Sequence, residues 1–299
     1  MTKHTNSRTL AALALSVAVA ALTLDSCAPG KLTLAKQTLN EAKVLFTAGQ
    51  YAEAYAKYAS ATAQAAEWDS ATYRMATISA SAVSKDSAAV AWGAHFSSFG
   101  DVAKLKALNS SLERLGDSEA RTNLILSDTT SFFTILGQQA VLGTMARRLA
   151  ENQDNSLVAL YGRLQDSEVK GDVFGTYFKM AKSTVGDKQL EKDCKDILKT
   201  SADQKDALYY LGKKRYDAAE ASYTKLMTDY NKKKTQAAYA YLTRDLKKVV
   251  TPLYKESKTY FDRLRKSDPD NQTYIKYLIN INDRLSNEAE VKKLKKLLN

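Results

Sequence analysis

Histidine, cysteine and proline are nearly missing from this 299-residue chain, with two, two and three copies beside 12 glycines. Beyond residue 30 only His95 and Cys194 remain of the first two types. A structural zinc site needs four ligands, so a Cys/His metal centre is excluded. One thiol beyond Cys27 leaves no internal disulfide framework. So few prolines and glycines argue against a strand-and-turn architecture and favour helices. Also absent are a Gly-x-Ser-x-Gly elbow, a dinucleotide glycine fingerprint and a phosphate-binding loop. After Leu24 no long apolar run follows, so no transmembrane helix is expected in the mature chain.

What is present is a foldable, basic composition. Hydrophobic residues make up 44%, enough to bury a core. The net charge of +11 is uneven. Residues 27–200 are nearly balanced, with 20 Lys and Arg against 19 Asp and Glu, whereas residues 201–299 hold 22 against 13. That last third also holds 11 of the 17 tyrosines. A basic field of this kind attracts acidic proteins, anionic lipid or nucleic acid, and the plain alternative is a set of solvated lysine faces.

Lys3, His4 and Arg8 precede an apolar stretch from Leu10 to Leu24, which fits a signal-peptide core rather than a spanning helix. Leu24-Asp25-Ser26-Cys27 then resembles the lipobox of bacterial lipoproteins, with Asp25 departing from the usual small or apolar residue. The resemblance implies cleavage before Cys27, a diacylglyceryl group on its sulfur, and an acyl chain such as palmitate on the new amino terminus. Each acyl chain contributes on the order of 10 kcal/mol of membrane affinity. A basic side chain near anionic lipid adds only about 1 kcal/mol. The resemblance places the chain in the cell envelope, and Ala28 after the cysteine points to the outer membrane. Nucleic acid is then the least expected partner.

The segmentation expected is a signal peptide (1–26), a lipidated tether (27–33), N-terminal hairpins (34–83), degenerate hairpins (84–200) and C-terminal repeats with a capping helix (201–299). Three side-chain ladders carry this reading: Tyr51, Ala54, Tyr58 and Ala61; Tyr216, Ala219, Tyr223 and Leu226; Tyr254, Ser257, Phe261 and Leu264, followed by Pro269. Steps of three and four place each set on one helix face. The small residue admits a close neighbour and the aromatic fills the gap beside it. These ladders resemble tetratricopeptide repeats and imply an all-α solenoid of stacked hairpins. Gly49 stands two before Tyr51, as that family prefers, but Lys214 takes the corresponding place before Tyr216. The closing segment carries Ile275, Leu278, Ile279 and Asn282, then Val291, Leu294 and Leu298.

The middle section is less periodic. Asp69, Asp86, Asp101, Asp117, Asp128 and Asn155 read as helix starts. Phe132, Phe133, Leu136, Leu142, Met145 and Leu149 read as one amphipathic helix. This stretch either continues the solenoid or forms a separate bundle. Asp69-Ser70-Ala71, Asp86-Ser87-Ala88 and Asp128-Thr129-Thr130 also resemble the short O-glycosylation motif of Bacteroidota envelope proteins, which makes Ser70, Ser87 and Thr129 candidate acceptors.

No catalytic constellation, cofactor or metal is expected. Ser222-Tyr223-Thr224-Lys225 has Ser-x-x-Lys spacing, but its companion motifs are missing and the repeat ladder accounts for Tyr223. His95, between Ala94 and Phe96 in an expected apolar helix, and Cys194, in a helical pattern, read as packing residues. The function expected is therefore binding: a lipid-anchored scaffold for an envelope protein, in outer-membrane assembly or secretion. The alternative is a glycan- or peptidoglycan-binding lipoprotein. The candidate contact residues are Tyr209, Tyr239 and Tyr241 with Lys232, Lys233, Lys234, Arg244, Lys247 and Lys248.

Overall fold

The computed structural model describes residues 29–63 and 68–298. Among the described residues all regular elements are helical: sixteen α-helices and one π-helical segment, with no strand. The all-α expectation holds. The signal peptide and Cys27 lie outside the described residues. The tether is corrected from residue 29 onward, because helix α1 already begins there and runs Pro29–Thr47. Proline fits a first helical turn, where its missing N–H has no intrahelical partner to lose. The chain divides into two compact units between Ser131 and Phe132, within the stretch read as one continuous middle section.

The first unit contains α1, α2 (Tyr51–Ala63), α3 (Ser70–Ala82), α4 (Asp86–Gly93), α5 (Val102–Leu115) and α6 (Ser118–Ser127). Helix α7 (Thr129–Leu136) crosses the division. A turn at Ala48–Gln50 reverses the chain, and Lys57 on α2 reaches back to Glu41 on α1 at 2.6 Å. Of the first ladder Ala54, Tyr58 and Ala61 are fully buried in one cluster with Ala76, Ala80, Ala89 and Trp92, whereas Tyr51 is exposed.

Two ion pairs fix the directions of α3, α4 and α5. Arg74, near the start of α3, bonds Asp101 just before α5 at 2.6 Å. Arg114, near the end of α5, holds Asp86 at the start of α4 at 2.7 Å and also donates to the Ser81 carbonyl near the end of α3. Trp68 meets Tyr58 of α2, Tyr73 of α3 and Trp92 of α4. The starts of α3 and α5 therefore lie beside the end of α4, and all three point the way α1 begins.

Caps follow the expected aspartates in most cases. Asp69, Asp101 and Asp117 accept the backbone N–H of Thr72, Lys104 and Ala120. Asp128 accepts from Ser131. Asp86 opens α4, as expected of a helix start, but the cap position is Lys85 and the Asp86 carboxylate serves Arg114 rather than the backbone. Asn155 makes no side-chain cap bond, and Asp154 receives the Ser156 N–H in its place.

The second unit contains α8 (Gln138–Glu151), α9 (Ser156–Tyr161), α10 (Ser167–Thr184), α11 (Asp187–Thr200) and α12 (Lys205–Lys232). Then come α13 (Gln236–Asp245), the π-segment Leu246–Val250, α14 (Thr251–Ser267), α15 (Gln272–Arg284) and α16 (Glu288–Lys295). The amphipathic helix expected from Phe132 to Leu149 is broken by Gly137, whose φ of +84° ends α7 and starts α8. Cys194 is fully buried, and burial pushes its thiol up to about 12.

The second and third ladders pack against each other, a departure from the repeat plan. That plan puts each ladder on a helix that follows its own turn. The second ladder instead lies midway along α12, which runs without a turn before Tyr216. The third lies on α14, which continues from the π-segment without a turn. At their closest approach Ser257 Oγ donates to the Gly212 carbonyl at 2.8 Å. A Cβ on Gly212 would stand 3.1 Å from the Phe261 ring, tighter than ordinary contact, so the ring would have to give by a few tenths of an ångström. Tyr254, Ser257, Phe261 and Leu264 are all buried. Of the second ladder Ala219 is buried, while Tyr216, Tyr223 and Leu226 are half-buried.

Pro269 occupies the exposed turn after α14, and Asn271 caps α15 by accepting from Thr273 and Tyr274. Helices α15 and α16 close this unit with Ile275, Leu278, Asn282, Val291 and Leu294 buried. Ile279 and Leu298 are half-buried.

Candidate docking surface

Helix α12 and the continuous α13–π–α14 helix form one long antiparallel hairpin. Its base is locked by tyrosine chemistry. Tyr254 O–H donates to Glu220 at 2.6 Å, and Arg284 of α15 grips the same carboxylate at 3.0 Å while covering the Tyr223 ring at 4.2 Å. Burial opposes ionisation of Glu220, but these hydrogen bonds prevail and hold its carboxyl below the usual range.

Beyond that lock the hairpin carries little of the core. On α13 the one buried side chain is Leu242. Leu242, Leu246, Val250 and Tyr254 recur at steps of four, a pattern that drifts by roughly 40° per step around an α-helix. The wider turns of the π-segment absorb that drift, keeping Leu242, Val250 and Tyr254 buried and Leu246 half-buried.

Apart from Leu242 and the half-buried Ala238 and Asp245, the rest of α13 is exposed. Tyr239 is 58% exposed and Tyr241 60% exposed, with Val249 open nearby. Tyr239 leans on Tyr230 across the hairpin, ring centres 6.0 Å apart, and the Arg244 guanidinium lies 4.9 Å from the Tyr241 ring. Lys232, Lys233, Lys234, Arg244, Lys247 and Lys248 are all exposed. From Lys225 to Lys248 seven Lys and Arg face only two acids, Asp229 and Asp245. Asp229 pairs with Lys232 at 3.3 Å and Asp245 with Arg244 at 2.8 Å.

Eight of the nine expected contact residues therefore fall together on this tip. Tyr209 does not. It sits half-buried against Phe261, Tyr274 and Tyr277 at 6.1–6.3 Å and belongs to the core. Of the candidate glycosylation positions, Ser70 and Ser87 are exposed and Thr129 is half-buried.

A second exposed apolar feature escaped the sequence reading. In the α4–α5 loop Phe99 is 76% exposed, with Phe96 and Val102 each 42% exposed. The loop is held firmly: His95 stacks on Tyr73 at 4.2 Å, and the buried Lys104 donates to the Phe96 carbonyl at 2.8 Å. His95 thus lies past the end of α4, not within a helix. Burial lowers the Lys104 pKa against the attraction of Asp101. Elsewhere a cleft of about 160 Å³ is lined by Tyr161, Lys170, Asp193 and Asp196 among others. That is below the roughly 300 Å³ of ordinary small-molecule pockets.

Among the described residues no helix is long and apolar enough to cross a membrane, and no cluster of three or more potential metal ligands occurs. The class that fold and surface define is an all-helical protein of packed hairpins with an exposed basic, aromatic tip. No family model and no curated protein matches the chain. Among solved structures it is similar to one described as "Crystal structure of a putative protein binding protein from Bacteroides ovatus ATCC 8483". Sequence identity is 17% and the TM-score 0.40, over 89% of this chain and 99% of that one.

Proposed function

We propose that this chain is a lipid-anchored, non-enzymatic adaptor of the bacterial envelope, on the outer membrane, which holds another envelope protein during assembly or secretion. The lipobox-like Leu24-Asp25-Ser26-Cys27 supports the anchor. The observation that carries the binding role is the hairpin tip: two exposed tyrosines beside six exposed cations, on a helix that buries only Leu242. A helix that contributes so little to its own core leaves most of its surface open to contacts. Tyrosine and arginine are favoured anchors in such contacts, and the lysines steer an acidic partner.

The test is site-specific photo-crosslinking in cells, with the crosslinking side chain at position 241, followed by mass spectrometry. We expect one acidic envelope protein to be captured. Combining Tyr239→Ala with Lys247→Glu and Lys248→Glu should lower its capture at least tenfold, with helical content unchanged. Capture that is diffuse, or unaltered by these substitutions, overturns the reading. Retention on cell-wall polysaccharide that depends on Tyr239 and Tyr241 would favour the glycan-binding alternative.

A further inference from the structure

The α4–α5 loop is the most exposed apolar feature of the first unit, and its position says what covers it. It lies where α3 and α5 begin, on the side of the unit toward which α1 also begins. Helix α1 starts at Pro29, two positions after Cys27, and two residues of chain reach no further than about 8 Å. An acyl group on Cys27 would therefore hold this end of the unit against the bilayer. We propose that Phe96, Phe99 and Val102 insert into the membrane interface, so that the loop orients the first unit on the lipid surface. The inference rests on the lipid-anchor reading of Cys27.

The local chemistry fits an interfacial position. Phe99 and Val102 flank Gly100-Asp101 at the tip, and both acids near them are already engaged. Asp101 is bound to Arg74 at 2.6 Å, and Asp128 accepts the Gly100 N–H at 2.7 Å. The exposed Lys106 lines the same shallow depression as Phe99 and faces outward, where an anionic headgroup can meet it. Exposed aromatic rings beside basic side chains are the usual composition of interfacial anchors. The loop is pre-ordered by the Tyr73–His95 stack and the Lys104–Phe96 bond, so insertion does not require it to fold first.

The experiment uses the full chain carrying its lipid and a Phe99→Trp substitution. It is reconstituted in vesicles of three parts phosphatidylcholine to one part phosphatidylglycerol, with and without bromine on the acyl chains. The parent chain, with Trp68 and Trp92, gives the baseline. At 76% exposure position 99 tolerates an indole. We expect the added emission to shift to the blue on vesicle binding and to lose at least half its intensity to brominated tails. Phe99→Asp should weaken vesicle binding of the unlipidated Cys27→Ser chain roughly tenfold. Vesicle flotation separates the two failures. A chain that floats while the indole at position 99 stays water-exposed overturns the insertion alone. A chain that does not float overturns the anchor reading, and the insertion with it.

Discussion

Phe261→Ala should cost the second unit about 3–5 kcal/mol, the largest loss expected of any single truncation in this chain. Its ring is fully buried and stacks on Tyr277 at 4.4 Å with planes 12° apart. It also meets the Tyr209 edge at 6.1 Å and lies against Gly212 at the α12–α14 crossing. One side chain thus joins α12, α14 and α15. Gly212 and Ser257 cannot move in to fill the void without breaking the 2.8 Å bond between them. A domain is stable by only about 5–15 kcal/mol, so the loss should be visible in any urea titration followed by circular dichroism. The matched control is Tyr241→Ala, at a position 60% exposed, which should stay within about 0.5 kcal/mol of the parent. A loss below about 1 kcal/mol for Phe261→Ala would mean that the three helices do not share this ring.

The packing around Phe261 also marks how far the sequence can be read. Each ladder was legible because steps of three and four place side chains on one face regardless of what that face meets. The partner of each face was not legible. Nothing in the spacing says that the second ladder meets the third, since that depends on α12 running unbroken for 28 residues. Tyr209 illustrates the same limit. Its proximity to a basic stretch pointed outward, yet it stands seven residues before Tyr216, and Tyr209, Gly212, Tyr216 and Ala219 continue the ladder inward. Helix phase outweighs neighbourhood in sequence. Asp86 does start α4, but a short acid before an apolar run serves equally well as a cap or as a salt-bridge partner, and Arg114 decides which. The α4–α5 loop gave no periodic signal, so Phe96 and Phe99 passed unnoticed between two helices.

The acid response of the second unit should be governed by Glu191. This carboxylate on α11 is held by Lys195 at 2.7 Å, Lys214 at 2.9 Å and Arg215 at 2.8 Å, the last two from α12. Lys195 and then Lys214 bring its pKa down from 4.5 to about 2, against burial, which opposes the shift. The folded value lies below the unfolded one. The contribution is therefore complete above about pH 5 and lost as the pH falls toward 2. At neutral pH it is of order 2 kcal/mol, since the side chain is only 19% exposed and little screened. Glu191→Gln should destabilise the chain by that amount at pH 7, and the deficit should shrink by about half at pH 3, where the parent has lost much of the advantage. Arg215 keeps Glu256 at 2.9 Å, and Lys214 keeps Asp187, so neither cation is stranded in the variant. Paired urea titrations at the two pH values measure the difference directly. A deficit that is equal at both would assign Glu191 a packing role and remove the electrostatic link between α11 and α12.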